Sequence, residues 1–359
     1  PLPPMNWSSL RSHADQIEML RRSIRRGRLA HTYLFAGPAG VGKSLFARIL
    51  SRCLLCERVT DEDLDACGEC SSCRQMEAGS HPDFFYVGCP EGKGEIPVAL
   101  FLGEREKRGQ EGLIHDLALR PMIASRRVAI IDDANQMNEE GANAMLKTLE
   151  EPPADSLLIL IAENLDAILP TIRSRCQLLR FGGLSEKNVA ELLVQHELAS
   201  TSEEAIAAAS MSDGSLQTAQ QLLNPELRTL REQLYKYLAA ADLDPMAAAK
   251  AMTAGVESLS GNTQEQRQNA GWLIRFAQEF YRQATLVLSG APPAFVPREV
   301  EVFCNRRAKH ESAGLELTMA LFDLAVMAEN RVSWNINPLR TLEALFDDLS
   351  ITGRNVPSA

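Results

Sequence analysis

Short apolar runs alternate with amphipathic segments through the first half of the chain. Each run has the length of one strand, and for all of them except "DFFYVGC" the lack of a polar face predicts burial on both sides. The runs are "HTYLFAG", "DFFYVGC", "RRVAIIDDA" and "SLLILIAE". Between them, "KSLFARILSRCLL" and "NEEGANAMLKTLEE" carry apolar residues at helical spacing, and Pro152–Pro153 ends the second helix. This alternation predicts an α/β fold, a parallel sheet with helices on both faces. The charged segment 90–112 fits neither pattern.

The pattern changes halfway along the chain, after which only helices are predicted. Ser185 precedes an apolar stripe, as the N-cap of a helix does. An alanine-rich helical unit occupies 184–224, and Pro225 opens a longer helical region that continues to the end. We therefore expect three parts, which are an α/β core at 1–183, a small helical domain at 184–224 and a helical domain at 225–359.

Length and charge limit the function classes. The chain has 359 residues, enough for two or three domains with cores of their own. Its net charge of −10 argues against a general nucleic-acid coat, which would be basic. The longest apolar runs are too short to cross a bilayer, and "PLPPMNWSSL" lacks the layout of a signal peptide. We therefore expect a cytoplasmic chain with no membrane partner.

The segment between the first strand and its helix matches the phosphate-binding pattern G-x-x-x-x-G-K-[ST]. Its glycines let backbone N–H groups turn toward phosphate oxygens, and the start of the helix adds partial positive charge. Lys43 would reach the β- and γ-phosphates, and Ser44 would ligate Mg²⁺. This P-loop therefore predicts binding of ATP or ADP with Mg²⁺. Its residues are Gly37, Pro38, Ala39, Gly40, Val41, Gly42, Lys43 and Ser44.

Two aspartates follow the apolar run "VAII". Asp132 would emerge at the carboxyl end of its strand, where such sites lie, and would bind Mg²⁺ directly or through water. Asp133 has two interpretations, and the sequence does not choose between them. It is either a catalytic residue that polarises the attacking water, about 1.5 Å shorter than the glutamate common in active NTPases, or a turn residue that ends the strand.

Eight cysteines in a chain expected to lack an export signal are typical of metal ligands or free thiols. Four of them, within a module at 53–75, have the spacing C-x10-C-x2-C-x2-C, which can close a tetrahedral, structural zinc site. Cys53 could also pair with Cys56, but it falls on the buried stripe of the preceding helix, which favours a core thiol. The predicted zinc ligands are Cys56, Cys67, Cys70 and Cys73.

Four motifs, in this order, resemble the AAA+ subunits of the bacterial sliding-clamp loader. They are "LAHTYLFAGPAGVGKS", the cysteine loop, "VAIIDDANQMNEEGANAMLKTLEEPP" and "TIRSRCQLLRF". The resemblance covers 24–183 and continues more weakly through "WNINPLRTLEALFDDL". It implies an AAA+ core at 1–183 that holds the zinc module, a lid domain at 184–224 and a collar domain for oligomerisation at 225–359.

Within this family the chain is most similar to the delta-prime subunits of DNA polymerase III. Gln217 falls where the gamma and tau motor subunits carry an arginine that senses the γ-phosphate. Asp133 stands where the motors have glutamate, and residues 162–164 replace their threonine-rich sensor pattern. The resemblance implies a subunit that binds nucleotide but hydrolyses it weakly or not at all, so its status as an enzyme stays open.

The resemblance also implies a place in an assembly. The partners would be gamma/tau motor subunits and a delta subunit in a hetero-pentamer, with the sliding clamp and, indirectly, primed DNA. In the family, the arginine of Ser-Arg-Cys reaches the ATP site of the neighbouring subunit as a finger on the γ-phosphate. That residue is Arg175 here, and Arg173 could compete for the role.

Two other functions stay open. One is a gamma/tau-type motor that hydrolyses its own ATP, and the other is a P-loop ATPase outside replication. A module that serves only for zinc-stabilised interaction is hard to reconcile with the intact P-loop.

Overall fold

The computed structural model describes residues 6–90, 93–293, 295–308, 311–333 and 336–354. The chain forms two compact units. The first runs to Asn188 and includes Gly214–Gln217, and the second comprises Val189–Asp213 and the chain from Thr218 onward. The finer division into core, lid and collar stays a prediction.

One parallel sheet organises the described part of the first unit. Its strands are β1 (Thr32–Ala36), β2 (Phe84–Val87), β3 (Arg127–Ile131), β4 (Ser156–Ala162) and β5 (Gln177–Arg180). They lie in the order β2-β3-β4-β1-β5, and each pairs with its neighbours in parallel. β1, β3 and β4 are buried along their whole length, as their unbroken apolar runs require. The predicted α/β fold class is therefore confirmed.

The apolar pattern does not predict β5. Its sequence "QLLR" begins and ends with exposed residues, and only Leu179 is buried. Pairing with β1 at the edge of the sheet, rather than an apolar run of its own, holds this strand in place. Such pairing is a tertiary property that four residues alone cannot signal.

Seven helices of the described first unit precede β5 along the chain. They are α1 (Ala14–Arg25), α2 (Lys43–Leu54), α3 (Ser71–Glu77), α4 (Ala99–Leu102), α5 (Leu113–Ala118), α6 (Glu139–Glu150) and α7 (Pro170–Arg173). α2 and α6 are two of the helices that the apolar spacing predicts. Asn138 caps α6 by accepting a hydrogen bond from the Gly141 N–H, and the helix ends just before Pro152–Pro153.

Segment 90–112, which neither pattern places, contributes to the core. Of this segment, residues 91–92 lie outside the described part. Ile96 forms a bridge with Met137 of the loop after β3. Ile96, and Phe101 on α4, are both fully buried against the sheet and α6. In this segment, single apolar side chains on irregular backbone pack into the core, as the apolar stripe of an amphipathic helix does.

The described chain after β5 contains helices and no strand. They are α8 (Glu186–Gln195), α9 (Ser202–Ser210), α10 (Leu216–Leu223), α11 (Pro225–Leu238), α12 (Pro245–Ser258), α13 (Thr263–Leu288), α14 (Arg298–Arg307), α15 (Glu311–Ser333) and α16 (Pro338–Arg354). The predicted cap is confirmed, because Ser185 Oγ accepts a hydrogen bond from the Asn188 N–H at 3.2 Å. Pro225 is the first residue of α11, as predicted. Residues 334–335 of the last family motif lie outside the described part.

Aromatic side chains hold the helices of the second unit together. Phe280 of α13 packs edge-on against Tyr235 of α11 and Phe303 of α14, with ring centroids 5.1 and 5.4 Å apart. α13 also packs along α15. Within the described residues, no helix is both long enough and apolar enough to cross a membrane.

Candidate nucleotide site

The P-loop joins the carboxyl end of β1 to α2. A Cβ atom on Gly37 would lie 2.1 Å from the carbonyl oxygen of Phe181, so no side chain fits there. Gly40 has a φ of +68°, and a Cβ atom on it would lie 2.4 Å from the backbone nitrogen of Gln217. The glycines at these positions are therefore required by the close approach of neighbouring backbone. The exposed Gln217 lies beside the P-loop, in the first turn of α10.

Lys43 is the first residue of α2 and is almost fully buried. Its Nζ atom donates hydrogen bonds to the carbonyl oxygens of Gly37 and Pro38, at 2.7 and 2.6 Å. Burial lowers the pKa of Lys43, while the negative charges of Glu163, Asp132 and Asp133 act to raise it. The ammonium group is thus held at the loop that would surround the phosphates.

His13 supports the P-loop from the segment before α1, and sequence reasoning missed it. Its Nε2 atom donates to the carbonyl oxygen of Val41 at 2.7 Å. The ring packs edge-on against Phe181 with centroids 5.0 Å apart. Burial lowers the pKa of His13, with the charge of Lys43 acting in the same direction and the bond to Val41 against it. A lone histidine outside any motif carries no sequence signal for such a contact.

Asp132 and Asp133 follow β3 at the same edge of the sheet. Asp132 Oδ1 accepts the Asp133 N–H at 3.0 Å, and its Oδ2 accepts the hydroxyl of Tyr86 at 2.7 Å. Asp133 itself turns the chain with a φ of +53° and begins a 3-10 turn. Burial, followed by the charges of Asp132 and Glu163, raises the pKa of Asp133. Asp133 therefore has the backbone of a turn residue, and whether it also acts in catalysis stays a prediction.

The residues at this edge fit a nucleotide with Mg²⁺. Gly37 and Gly40 of the P-loop stand where a side chain would clash, so the loop keeps the bare backbone that phosphate binding requires. Ser44 and Asp132 supply a hydroxyl and a carboxylate, the oxygen ligands that Mg²⁺ prefers. Tyr86 is a residue of this edge that sequence reasoning missed. Only its place near the end of a strand could have pointed to it.

The four predicted zinc ligands lie together between α2 and the start of α3. All four Sγ atoms lie within 4.8 Å of one another. Those of Cys56 and Cys67 are 3.7 Å apart, and those of Cys67 and Cys73 are 4.0 Å apart. Zinc–sulfur bonds of about 2.3 Å in a tetrahedron place sulfurs about 3.8 Å apart, so the cluster has the right size. Cys53 is 2% exposed on α2 and is not part of this group.

Backbone groups favour ionised sulfur at Cys67, whereas burial raises the pKa of Cys73 to about 12. Hydrogen bonds from the N–H groups of Glu69 and Cys70 lower the pKa of Cys67 to about 6. Cys70 is the N-cap of α3, and its Sγ accepts the Cys73 N–H at 3.3 Å. Thiolates are the form that zinc binds.

Arg175 lies just after α7, with its guanidinium held by its own chain. Nη2 donates to Glu150 Oε1 at 2.6 Å, and Nη1 donates to the carbonyl oxygen of Thr171 at 2.9 Å. Arg173 points elsewhere, since its Nη1 makes only long contacts of 3.5 Å to Leu165 and Asp166. The two arginines are therefore distinguishable by their surroundings. Glu150, the last residue of α6, is a partner that sequence reasoning missed.

Comparison with known proteins shows which family this part of the chain resembles. A family model described as "DNA polymerase III, delta subunit" matches residues 12–185. DNA polymerase III subunit delta' of Pseudomonas aeruginosa is 39% identical over 151 residues, which are 42% of this chain and 43% of the relative. The Escherichia coli delta' subunit is 31% identical over 222 residues, 62% of this chain and 63% of the relative. Residues 12–185 are therefore similar to the delta-prime family.

The match to the delta-prime family is partial in length, since the chain spans about half the length of the curated relatives it matches. The region that matches the family model contains the P-loop, the cysteine cluster, Asp132 and Arg175. Among solved structures, a DNA polymerase III gamma subunit-related protein of Thermotoga maritima is similar, with 16% identity and a TM-score of 0.36. That alignment covers 95% of this chain and 100% of the other.

Proposed function

We propose that this chain is a delta-prime-type subunit of a clamp loader, which helps to load a sliding clamp onto primed DNA. Its partners in a hetero-pentamer would be gamma/tau motor subunits and a delta subunit. Similarity to delta-prime subunits over residues 12–185 supports this role. The chain would comprise a core at 1–183 that holds nucleotide, a small lid domain at 184–224 and a collar at 225–359 that joins the subunits.

The observation that carries the proposal is an intact P-loop beside an incomplete hydrolytic set. Lys43, Ser44 and Asp132 would hold the phosphates of ATP or ADP and the metal. Mg²⁺, when bound, neutralises charge on the phosphate oxygens. Asp133 is shorter than the glutamate of the motors, and Gln217 stands beside the P-loop in place of an arginine. The chain would therefore retain nucleotide and hydrolyse it slowly.

Zinc would stabilise the fold of this subunit. Four thiolates within 4.8 Å leave no open position for catalysis, so the metal would serve structure alone. The cluster includes the start of α3 and follows directly on α2, whose first residue is Lys43. Zinc would thus tie the far end of the P-loop helix to the loop that follows it.

Arg175 would act on the ATP of a neighbouring motor subunit. Charge develops on the γ-phosphoryl oxygens during transfer, and a guanidinium can pair with two of them. Its exposure of 34% leaves the group accessible to another chain. In that assembly, this subunit would activate a site that is not its own.

Reconstitution tests this function. The chain is mixed with gamma/tau and delta subunits of the source organism, and the complex is isolated by size exclusion. Loading of clamps onto singly primed circular DNA is then measured with and without this chain. We expect one stable complex and loading that depends on this chain. No complex, or loading that is equal without the chain, contradicts the proposal. Rapid ATP hydrolysis by the isolated chain would instead favour the motor alternative, which the intact P-loop keeps open.

A further inference from the structure

Tyr86 connects β2 to the predicted metal ligand. In the parallel pairing of β2 with β3, Tyr86 is opposite Ile130, two residues before Asp132. Residues two apart on a strand share a face, so Tyr86 and Asp132 are diagonal neighbours. The phenol is long enough to span that diagonal, and its hydroxyl donates to Asp132 Oδ2 at 2.7 Å. One carboxylate oxygen of the predicted metal site is thus already engaged by a side chain of the same protein.

Two residues of α2 hold the Tyr86 ring from the other side. The guanidinium carbon of Arg48 lies 4.4 Å from the ring centroid, a cation–π contact. Ser44, one helical turn earlier, interacts with the same phenol. The ring therefore stands between the P-loop helix and β3, and its hydroxyl bonds to Asp132.

The chemistry of that hydroxyl conflicts with metal ligation. A carboxylate oxygen that accepts a short hydrogen bond from a phenol gives up electron density that Mg²⁺ would use, and the phenol occupies space beside it. Asp132 Oδ1 is engaged as well, by the N–H of Asp133 at 3.0 Å. The Tyr86 hydroxyl thus occupies one of the acceptor positions of Asp132 that Mg²⁺ or a water bound to it would otherwise use.

We propose that Tyr86 competes with Mg²⁺ for Asp132, so that this subunit holds its nucleotide with little dependence on magnesium. The inference rests on the proposed nucleotide site and adds a residue that sets its metal preference. A motor needs Mg²⁺ to neutralise charge during transfer, whereas a subunit that only retains nucleotide does not. Tyr86 thereby acts as a second restraint on hydrolysis, separate from the short side chain of Asp133.

The test removes one oxygen atom. Tyr86→Phe keeps the ring and its contact with Arg48 but deletes the hydroxyl. Binding of fluorescent N-methylanthraniloyl-ADP to the protein is measured in EDTA and at increasing concentrations of Mg²⁺. The metal gain is the ratio of the affinity in saturating Mg²⁺ to the affinity in EDTA. We expect a gain near unity for the wild type and a gain about tenfold larger for Tyr86→Phe, since a hydrogen bond to a charged group no longer competes. The matched control is Tyr237→Phe on α11, which should behave as the wild type does.

A second readout uses the metal alone. Electron paramagnetic resonance of Mn²⁺ measures its affinity for each protein without nucleotide, and Tyr86→Phe should bind Mn²⁺ more tightly than the wild type does. Arg48→Met, which frees the ring, should shift both measurements in the same direction by a smaller factor.

Two results overturn the proposal. An unchanged metal gain in Tyr86→Phe means that the hydroxyl does not compete, and a smaller gain means that Tyr86 supports Asp132 as a ligand. Failure of the nucleotide site is recognised separately, because the wild type would then bind no fluorescent ADP in EDTA or in Mg²⁺. The Mn²⁺ measurement tests Tyr86 in that case too, and equal Mn²⁺ affinities would overturn the inference.

Discussion

Glu150 holds the guanidinium of Arg175 at 2.6 Å. The two residues come from different elements, since Glu150 ends α6 and Arg175 follows α7. The pair is partly exposed, at 51% and 34%, so it contributes less than about 1 kcal/mol to stability. The ion pair instead orients the side chain of Arg175, because together with the hydrogen bond to the Thr171 carbonyl oxygen it fixes the direction of the guanidinium.

Replacing Arg175 should slow ATP hydrolysis by the assembled complex. In Arg175→Ala the one motor site that faces this subunit should lose roughly 10³-fold in rate, while the other motor sites are unchanged. Arg175→Lys should recover only part, since an ammonium cannot make the bidentate contact. Steady-state ATPase of the reconstituted complex, with clamp and primed DNA, measures the loss.

Arg173→Ala is the control for that experiment, and it should leave turnover close to the wild-type value. Zinc content and the melting temperature of the isolated chain should be the same in both variants. If the Arg175→Ala complex hydrolyses ATP and loads clamps at the wild-type rate, Arg175 is only a surface residue.

Purification without chelator should yield one zinc per chain. The double variant Cys70→Ser/Cys73→Ser should lose it, because two oxygen ligands cannot replace two thiolates at this site. Cys53→Ala should keep its zinc, since Cys53 is buried away from the cluster. Metal analysis by mass spectrometry decides both points. Retention of zinc in the double variant, or its loss in Cys53→Ala, would refute the assignment of the ligands.

The isolated chain should bind nucleotide and hydrolyse almost none. Lys43→Ala should weaken ADP binding by about tenfold or more, because it removes a charge-assisted contact to the phosphates. Turnover by the wild-type chain alone should stay near background, since the neighbour that would supply a finger is absent. Calorimetry and a phosphate-release assay measure the two quantities. Rapid turnover that Lys43→Ala abolishes would show a motor instead.

Asp83 should stabilise the first unit in a pH-dependent way. Its fully buried carboxylate accepts the N–H groups of Met122, Ile123 and Ala124 at 2.7, 2.8 and 3.0 Å. Burial alone would raise the pKa of Asp83, but these bonds and the Arg127 charge outweigh it and hold the pKa below its ordinary 3.8. The stabilisation is therefore complete above pH 3.8 and is lost as the pH falls through the lower, folded-state pKa.

Asp83→Asn should accordingly lower the free energy of unfolding by about 2–4 kcal/mol at pH 7. The difference from the wild type should shrink in acid, below the ordinary pKa of aspartate. Asp166→Asn is the exposed control and should cost less than about 0.5 kcal/mol. Urea unfolding at several pH values measures both. A difference that persists undiminished in acid would show that the charge of Asp83 is not the cause.

The sequence alone was enough for the parts that are local in the chain. The apolar runs predict β1, β3 and β4 because a strand buried on both faces must be apolar throughout, and a further run predicts β2, which is only partly buried. The P-loop and the cysteine spacing are equally local, since a phosphate or a zinc ion is surrounded by residues only a few positions apart. Helix starts at Ser185 and Pro225 follow from backbone chemistry within one turn.

Only the tertiary structure decided which distant residues meet at these sites. β5 exists because β1 offers an edge to pair with, and Phe101 is buried because α6 covers it. Tyr86 reaches Asp132 through the register of two strands that are 46 residues apart at this contact, and Glu150 reaches Arg175 across 25 residues. Such contacts depend on the packing of whole helices and strands. The amino-acid sequence contains no periodic pattern that would reveal them.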